Sequence, residues 1–419
     1  SFGEEGPPSS PSAVVELIDG ESVTVSMTAG NVPSGNYFFD VTQGAKKRIY
    51  RSNTGSNTTQ FQFVGEVGIT TTSFVDSTDA AGLGEIIPST YWIGPPDDDS
   101  SLYPDGPMIG LIPIGNGVFA GHSGKRVCLS EPYLPHAWPI SYRITLEDTV
   151  VGMATSNNGL VALTEGTPYF VTGTAPAAMT AIKIHLPPSC VHVHSIVDMG
   201  DYVLYAGPDG LCAVEQNQGE VITRGLITDD QWAEDFKASS YRAFLVDGTY
   251  VAFWDTGSAQ GGWVYDPRAT ESAISTITPS AVRGGYYDPN TGDLYTIISD
   301  EVVKYRGGAS NRTAKWRSKE YFTPTPVSFG YMQVVADTYP VTARIIKDGV
   351  TWFEATLSLS GSTYTQTTAT PSGISSATFP DPVMRLPRSV GQEWAFEVEC
   401  TGRVHDVTLA QTIEELKSE

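Results

Sequence analysis

An all-β chain is predicted by three observations. Apolar and polar residues alternate over short stretches, no segment keeps a helical stripe for more than a few turns, and Gly, Pro, Asn or Asp marks almost every break. The 419 residues include 42 Gly and 28 Pro and are 40% hydrophobic, enough apolar material for the cores of several domains.

Residues 1–12 read as a tail or linker, and residues 13–91 as a small β-sandwich. Within it, "AVVELIDGESVTVSMTAG" predicts two strands around an Asp19-Gly20 turn, and Tyr50, Phe61 and Phe63 alternate toward a core. The series "IYRSNTG…FQFVGEV…TSFVDST" resembles the later strands of fibronectin type III-like modules. In residues 92–107, "WIGPPDDDSSLYPDGP", prolines and aspartates exclude regular structure, so a linker is expected there.

Residues 108–312 are quasi-periodic. "GNGVFAGHSGKRVCLSEP", "NNGLVALTEGTPYFVTG", "MGDYVLYAGPDGLCAVEQ", "DGTYVAFWDTGSAQGGWVYDP" and "NTGDLYTIISDEVVKYRG" each hold two short strands around a polar or Gly turn. A spacing of about 35 to 50 residues is that of radial β-sheet repeats, which predicts an irregular β-propeller. "ITDDQWAEDFKASSY" is the one helical piece: Asp229 or Asp230 supplies the cap, Trp232 and Phe236 share a face, and the piece bridges two blades. Residues 313–419 predict a second sandwich-like β-domain, with an Asp348-Gly349 hairpin and a short helical tail.

Composition narrows the function. There are 25 Lys+Arg against 47 Asp+Glu, a formal charge of −22, which argues against tight nucleic-acid binding but suits a wall along which a polyanion slides. The acidity is strong in residues 1–110, with 14 acids and 4 bases, and this part is expected to line a channel. Cys128, Cys190, Cys212 and Cys400 are far apart and predict free thiols made in a reducing cytoplasm. No apolar run reaches the length of a membrane span. The chain begins at Ser1, as expected of a processed form or of part of a longer polypeptide. The sequons at Asn57 and Asn311 carry little weight.

Chemical motifs are sparse. Cys190, His192 and His194 would share one face of a strand and suggest a metal, but spacing supplies no further ligand. Ser123 after His122 lacks the strand-to-helix elbow of a hydrolase, and "GHSGKR" is no phosphate loop. Asp247, Asp255, Asp266 and Asp288 fall at strand ends, where turn chemistry competes with a glycosidase reading. Trp254, Trp263, Tyr286 and Tyr287 suit sugar stacking or, more simply, packing between sheets. The expectation is therefore no catalytic residue, metal or cofactor.

The hairpin "VFAGHSGKRVCLSEPYLPHAWP", then "VVGMATSNNGLVALTEGTPYFVTGTAP", "LYAGPDGLCAV" and "TAKWRSKEYFTPTPVSFGYMQVVADTYP", resemble the tail nozzle or tail tubular protein B group of tailed bacteriophages over roughly residues 37–330. The resemblance implies a virion structural protein, assembled in the bacterial cytoplasm as a homohexameric ring at the distal tail. Its implied partners are an upstream tail tube or adaptor, tail fibres, the host envelope surface, and genomic DNA in transit. Tyr133 and Trp138 would anchor the "SEPYLPHAWP" segment against a neighbouring domain or subunit, while Pro135 and Pro139 stiffen it. A receptor-binding propeller that binds or cleaves host polysaccharide is the rival reading, and an adaptor elsewhere in the tail is another.

Overall fold

The computed structural model describes residues 8–16, 20–30, 46–52, 60–87, 93–156, 159–185, 188–216, 218–269, 273–373 and 376–417. It forms two compact units, Ser1–Tyr305 and Arg306–Glu419, and is built of small antiparallel sheets.

Five sheets follow one another along the first unit, each a meander in which neighbours in sequence pair. Sheet 1 comprises Ile109–Gly115, Val118–Ser123, Arg126–Leu129 and Ile144–Thr145. Sheet 2 comprises Val150–Ser156, Gly159–Thr164, Tyr169–Thr172 and Thr180–Lys183, and sheet 3 Val197–Asp198, Val203–Ala206, Leu211–Glu215 and Gln218–Val221. Sheet 4 comprises Tyr241–Val246, Thr249–Asp255, Gln260–Tyr265 and Ile274–Ile277, and sheet 5 has three strands, Val282–Asp288, Asp293–Ile298 and Glu301–Lys304. The five sequence repeats fall on the second and third strands of these sheets in order.

The first strand of each sheet lies against the first strand of the next, so the sheets fan out from a common line. Each interval between sheets is filled by its own apolar cluster. Leu129, Leu160 and Val171 join sheets 1 and 2, and Leu163, Tyr205 and Val214 join sheets 2 and 3. Leu204, Tyr250 and Trp263 join sheets 3 and 4, and Phe253 and Leu294 join sheets 4 and 5. One face of a sheet serves one interval and the other face the next, as in packed radial sheets. Two-residue turns close several hairpins: Asn116-Gly117 and Asp247-Gly248 have positive φ at both positions, the requirement that selects Asn or Asp before Gly.

The helical piece is shorter than expected and partly wound as a wider π-turn. Asp229–Gln231 is α-helical, Trp232–Phe236 follows as a π-turn, and the cap is Thr228, whose hydroxyl accepts the Gln231 N–H at 3.3 Å, rather than Asp229 or Asp230. Trp232 and Phe236 stack at 5.0 Å, and the Trp232 indole donates to the Gly207 carbonyl, so the piece wedges between sheets 3 and 4.

Before the fan, Val23–Ser26 pairs with Ser73–Asp76, and Lys46–Ser52 with Phe61–Gly68. Residues 13–16 are not strand, and Val23–Ser26 finds its partner some fifty residues on instead of across Gly20; Asp19 and Asn57 lie outside the described residues. Arg51 ties the two pairs together through Asp76 at 2.8 Å. The segment 93–107 is irregular, as its prolines dictate, yet it is pinned to sheet 1. Ser123 donates to the Gly106 carbonyl, Arg126 pairs with Asp105, and Met108 packs where Gly121 leaves room.

In the second unit, Ala314–Arg317, Gly391–Cys400, Val341–Lys347, Val350–Ser360, Thr363–Thr370 and Ala377–Phe379 form the path of a large sheet, with Tyr321–Val327 also paired to Gly391–Cys400. A small sheet of Val383–Arg385, Tyr331–Ala336 and Val404–Ala410 shares its core, in which Val334, Ile345, Phe353, Met384 and Trp394 meet. Asp348-Gly349 makes the expected hairpin, with both φ positive. The tail contributes a single short turn, Glu415–Lys417.

Candidate functional site

The fan gathers the entrances of its first strands along one rim. There, a cavity of about 300 Å³ is lined by His192, Ser239, Ser240, Arg242, Asp255, Val282 and Arg283. His192 precedes the turn that enters sheet 3, Ser239 to Arg242 open sheet 4, and Val282 and Arg283 open sheet 5. Pairing of Tyr241 with Trp254 brings Asp255, the end of the neighbouring strand, beside them.

The floor of this cavity is fixed by buried hydrogen bonds. The Ser195 hydroxyl donates to the His192 carbonyl at 2.6 Å and accepts the Ala206 N–H, while Tyr250 of sheet 4 donates to the Ser195 carbonyl at 2.8 Å. Burial, then the Arg242 guanidinium, then His194 hold His192 below the usual histidine range; burial and Arg242 act the same way on His194. Arg242 donates to the Tyr241 carbonyl, and neither Arg242 nor Arg283 has a carboxylate partner among the described residues. Asp255 accepts the Gly257 N–H at 2.8 Å.

A second concavity, about 370 Å³, lies between sheets 3 and 4 and is lined by Tyr202, Glu215, Gln218, Glu220, Ile222 and Tyr265 among others. It is aromatic and acidic. Burial raises both tyrosines, Tyr265 aided by Glu220 and Asp266.

The candidates from sequence are dispersed. Asp247 sits at positive φ in a hairpin turn, Asp266 is held by Arg268, and Asp288 accepts the Asn290 N–H, so each serves its own turn; of the four, Asp255 alone lines a cavity. Trp263 is buried with its indole on the Tyr241 hydroxyl, while Tyr286 is exposed. Ser123 is spent on the Gly106 carbonyl, and His122 is buried beside it.

Cys190, His192 and His194 do not share a strand face. Residues Val193–Ser195 form a tight turn, the His192 Nδ1 accepts the His194 N–H, and the Cys190 thiol faces Ser195 and the His192 carbonyl, pushed up to about 11 by burial. Among the described residues no three such ligands are grouped to hold a metal.

The "SEPYLPHAWP" segment divides in two. Trp138 and Pro139 are buried within the chain, the Trp138 backbone N–H donating to the Ile93 carbonyl and its indole to the Pro135 carbonyl. Tyr133 and Pro135 are exposed; Tyr133, at positive φ, lays its ring over Gly117, where any side chain would collide with it.

Sequence reasoning passed over Arg242, Arg283 and the Glu215/Glu220 pair. Two arginines each placed at the start of a strand after a Ser- or Thr-rich break are a weak signal, visible only once the first strands are aligned.

No protein family and no curated protein matches the chain. Among solved structures it is similar to PorZ, a surface component of the type-IX secretion system of Porphyromonas gingivalis, at 13% identity and TM-score 0.32, over 78% of this chain and 46% of that one. It is also similar to YCF48 from Cyanidioschyzon merolae, at 10% identity and TM-score 0.32 over 70% and 94%, and to an engineered GH43 glycoside hydrolase, at 10% and 0.25 over 75% and 98%. The chain spans less than half the length of the PorZ chain. TM-scores this low carry no argument about its function.

Proposed function

We propose that this chain is a structural protein of a phage tail, a nozzle or tube component that closes the distal end and conducts the genome on ejection. In this reading the fan is an irregular β-propeller, flanked by a fibronectin type III-like sandwich over residues 13–91 and a second sandwich over 313–419. Six copies form the ring, on a virion tail, with tube, adaptor and fibre proteins as neighbours.

The observation that carries it is an uncovered apolar sheet face. Sheet 5 buries Leu294 and Ile298 against sheet 4, but its other face presents Tyr286, Ile297 and Val302, with Tyr286 64% and Val302 71% exposed. Contiguous exposed apolar surface marks an association site. A face of this kind meeting a different surface of the next copy is a heterologous contact, which closes into a ring when its rotation fits. The net charge of −22 suits a wall that phosphate slides along without sticking. Carboxylates taken up by turns support a non-enzymatic role.

Mass photometry of the purified chain, followed by electron microscopy, tests this. Six-fold rings that fall apart in the Ile297→Glu/Val302→Glu double variant are the expected result; a monomer at micromolar concentration that forms no ring sinks the reading. A receptor-binding propeller for host polysaccharide remains the second reading, favoured by the rim cavity with its Arg and Ser side chains.

A further inference from the structure

Elsewhere in this acidic chain, many cationic side chains are matched to carboxylates: Arg51 with Asp76, Arg126 with Asp105, Arg268 with Asp266, Lys304 with Asp293, and Arg344 with Glu397. The rim cavity holds two arginines that are not matched in this way. Arg242 and Arg283, from adjacent sheets, converge on one space without a carboxylate partner among the described residues. Two guanidiniums against the single carboxylate of Asp255 leave a positive excess in a protein of charge −22. The guanidinium fork matches a carboxylate or phosphate by paired N–H bonds.

Asp255 sets what must accompany either anion. One of its oxygens accepts the Gly257 N–H, and the carboxylate still needs donors from whatever fills the cavity. A bare oxyanion offers it none and repels it; a ligand carrying hydroxyl groups beside its negative charge satisfies both ends. Ser239 adds a hydroxyl that donates or accepts, Ser240 one that accepts while donating its own proton to the Lys237 carbonyl, and His192 an imidazole on a turn held by Ser195 and Tyr250. A cavity of about 300 Å³ is at the small end for ligand sites, of the order of a single sugar ring. The His192 turn is thus ordered before binding, which saves that part of the ordering cost.

We propose that the rim cavity binds a polyhydroxylated carboxylate, a hexuronate unit, with Arg242 and Arg283 on the carboxylate and Asp255, Ser239 and Ser240 on the hydroxyls. This goes beyond the structural role and is independent of it: a single chain suffices for binding, and ring formation can fail without touching it.

Titrating the full chain with glucuronate by calorimetry, with glucose and inorganic phosphate as comparators, tests the proposal. Saturable glucuronate binding, weakened at least tenfold in Arg283→Gln and unchanged in Arg388→Gln of the second unit, is expected. Arg283 is exposed, so its loss leaves the apolar clusters intact; a circular dichroism spectrum identical to that of the parent chain checks this. Absence of glucuronate binding, binding of glucose or phosphate as tight as that of glucuronate, or an unchanged affinity in Arg283→Gln overturns it.

Discussion

The fan of the first unit and the large sheet of the second are both antiparallel, yet their strands are buried in different patterns. In the fan, Leu160 to Thr164 are all buried, as are Val203 to Ala206 and Thr249 to Phe253. In the large sheet, Val341, Ala343 and Ile345 are buried while Thr342 and Arg344 between them are only half covered. The difference follows from how many faces are packed. An inner fan sheet is sandwiched between two neighbours, so both sets of alternate side chains must be apolar or small, whereas the large sheet has a core on one face and leaves the other for polar residues.

That second face is not idle. Arg344 stands among Glu354, Glu397 and Glu399, at 3.3, 2.8 and 2.7 Å, and Lys315 reaches Glu397 from the other side. The fan has an aromatic counterpart, in which Trp263 touches Trp232, Phe236, Tyr241 and Tyr250 between sheets 3 and 4. One region is held by apolar contact across sheets, the other partly by charge across strands.

Inserting a charge at matched positions breaks the comparison most strongly. Val161→Lys, at the centre of sheet 2, should cost about 4 kcal/mol or more because neither face offers water or a partner, while Thr356→Lys, on the half-covered face of the large sheet, should cost under about 1 kcal/mol. Hydrogen exchange with mass spectrometry reads the two units separately. Equal costs would mean that the fan faces are not both packed.

Removing the centre of the charged cluster is next. Arg344→Met leaves the buried Glu397 to Lys315 alone and Glu354 and Glu399 without their shared cation, and should destabilise the second unit by roughly 2 kcal/mol. Protection in the fan should not change. A loss under about 0.5 kcal/mol would show the cluster to be surface decoration.

The smallest expected effect is in acid. Burial pushes the Glu397 carboxyl upward, but Lys315 and Arg344 outweigh it and hold the group below its ordinary value of 4.5. With a folded value below the unfolded one, its contribution is complete above about pH 4.5 and fades as pH falls through the folded value. Exchange protection of Gly391–Cys400 measured from pH 6 to pH 3 should therefore drop below 4.5, and Glu397→Gln should remove the part of that drop owed to this group.

Hairpins were the most legible feature. Asn116-Gly117, Asp247-Gly248 and Asp348-Gly349 each announce a turn because few other residues tolerate two successive positive φ values. The repeats mark the second and third strands of the fan, which in sheets 1 to 4 are deeply packed. The first strands were less visible: Val197–Asp198 is only two residues long, and Tyr241–Val246 mixes Arg242 into an apolar run. Thr228 was overlooked as a cap since two aspartates follow it and invite the same role. Trp138 reads as an anchor against a neighbouring domain or subunit, and a proline-framed tryptophan looks the same in sequence whichever of the two it meets.

The sequence by itself determined the strand class, the repeat and turns such as Asp348-Gly349, because each is set by neighbours within a few residues and by the alternation of faces. Only the tertiary structure decided what meets at the rim. Arg242 and Asp255 stand in sheet 4, Arg283 in sheet 5 and His192 before the turn that leads into sheet 3, and no periodicity within a strand encodes which first strands will lie side by side or which of their ends will share a cavity.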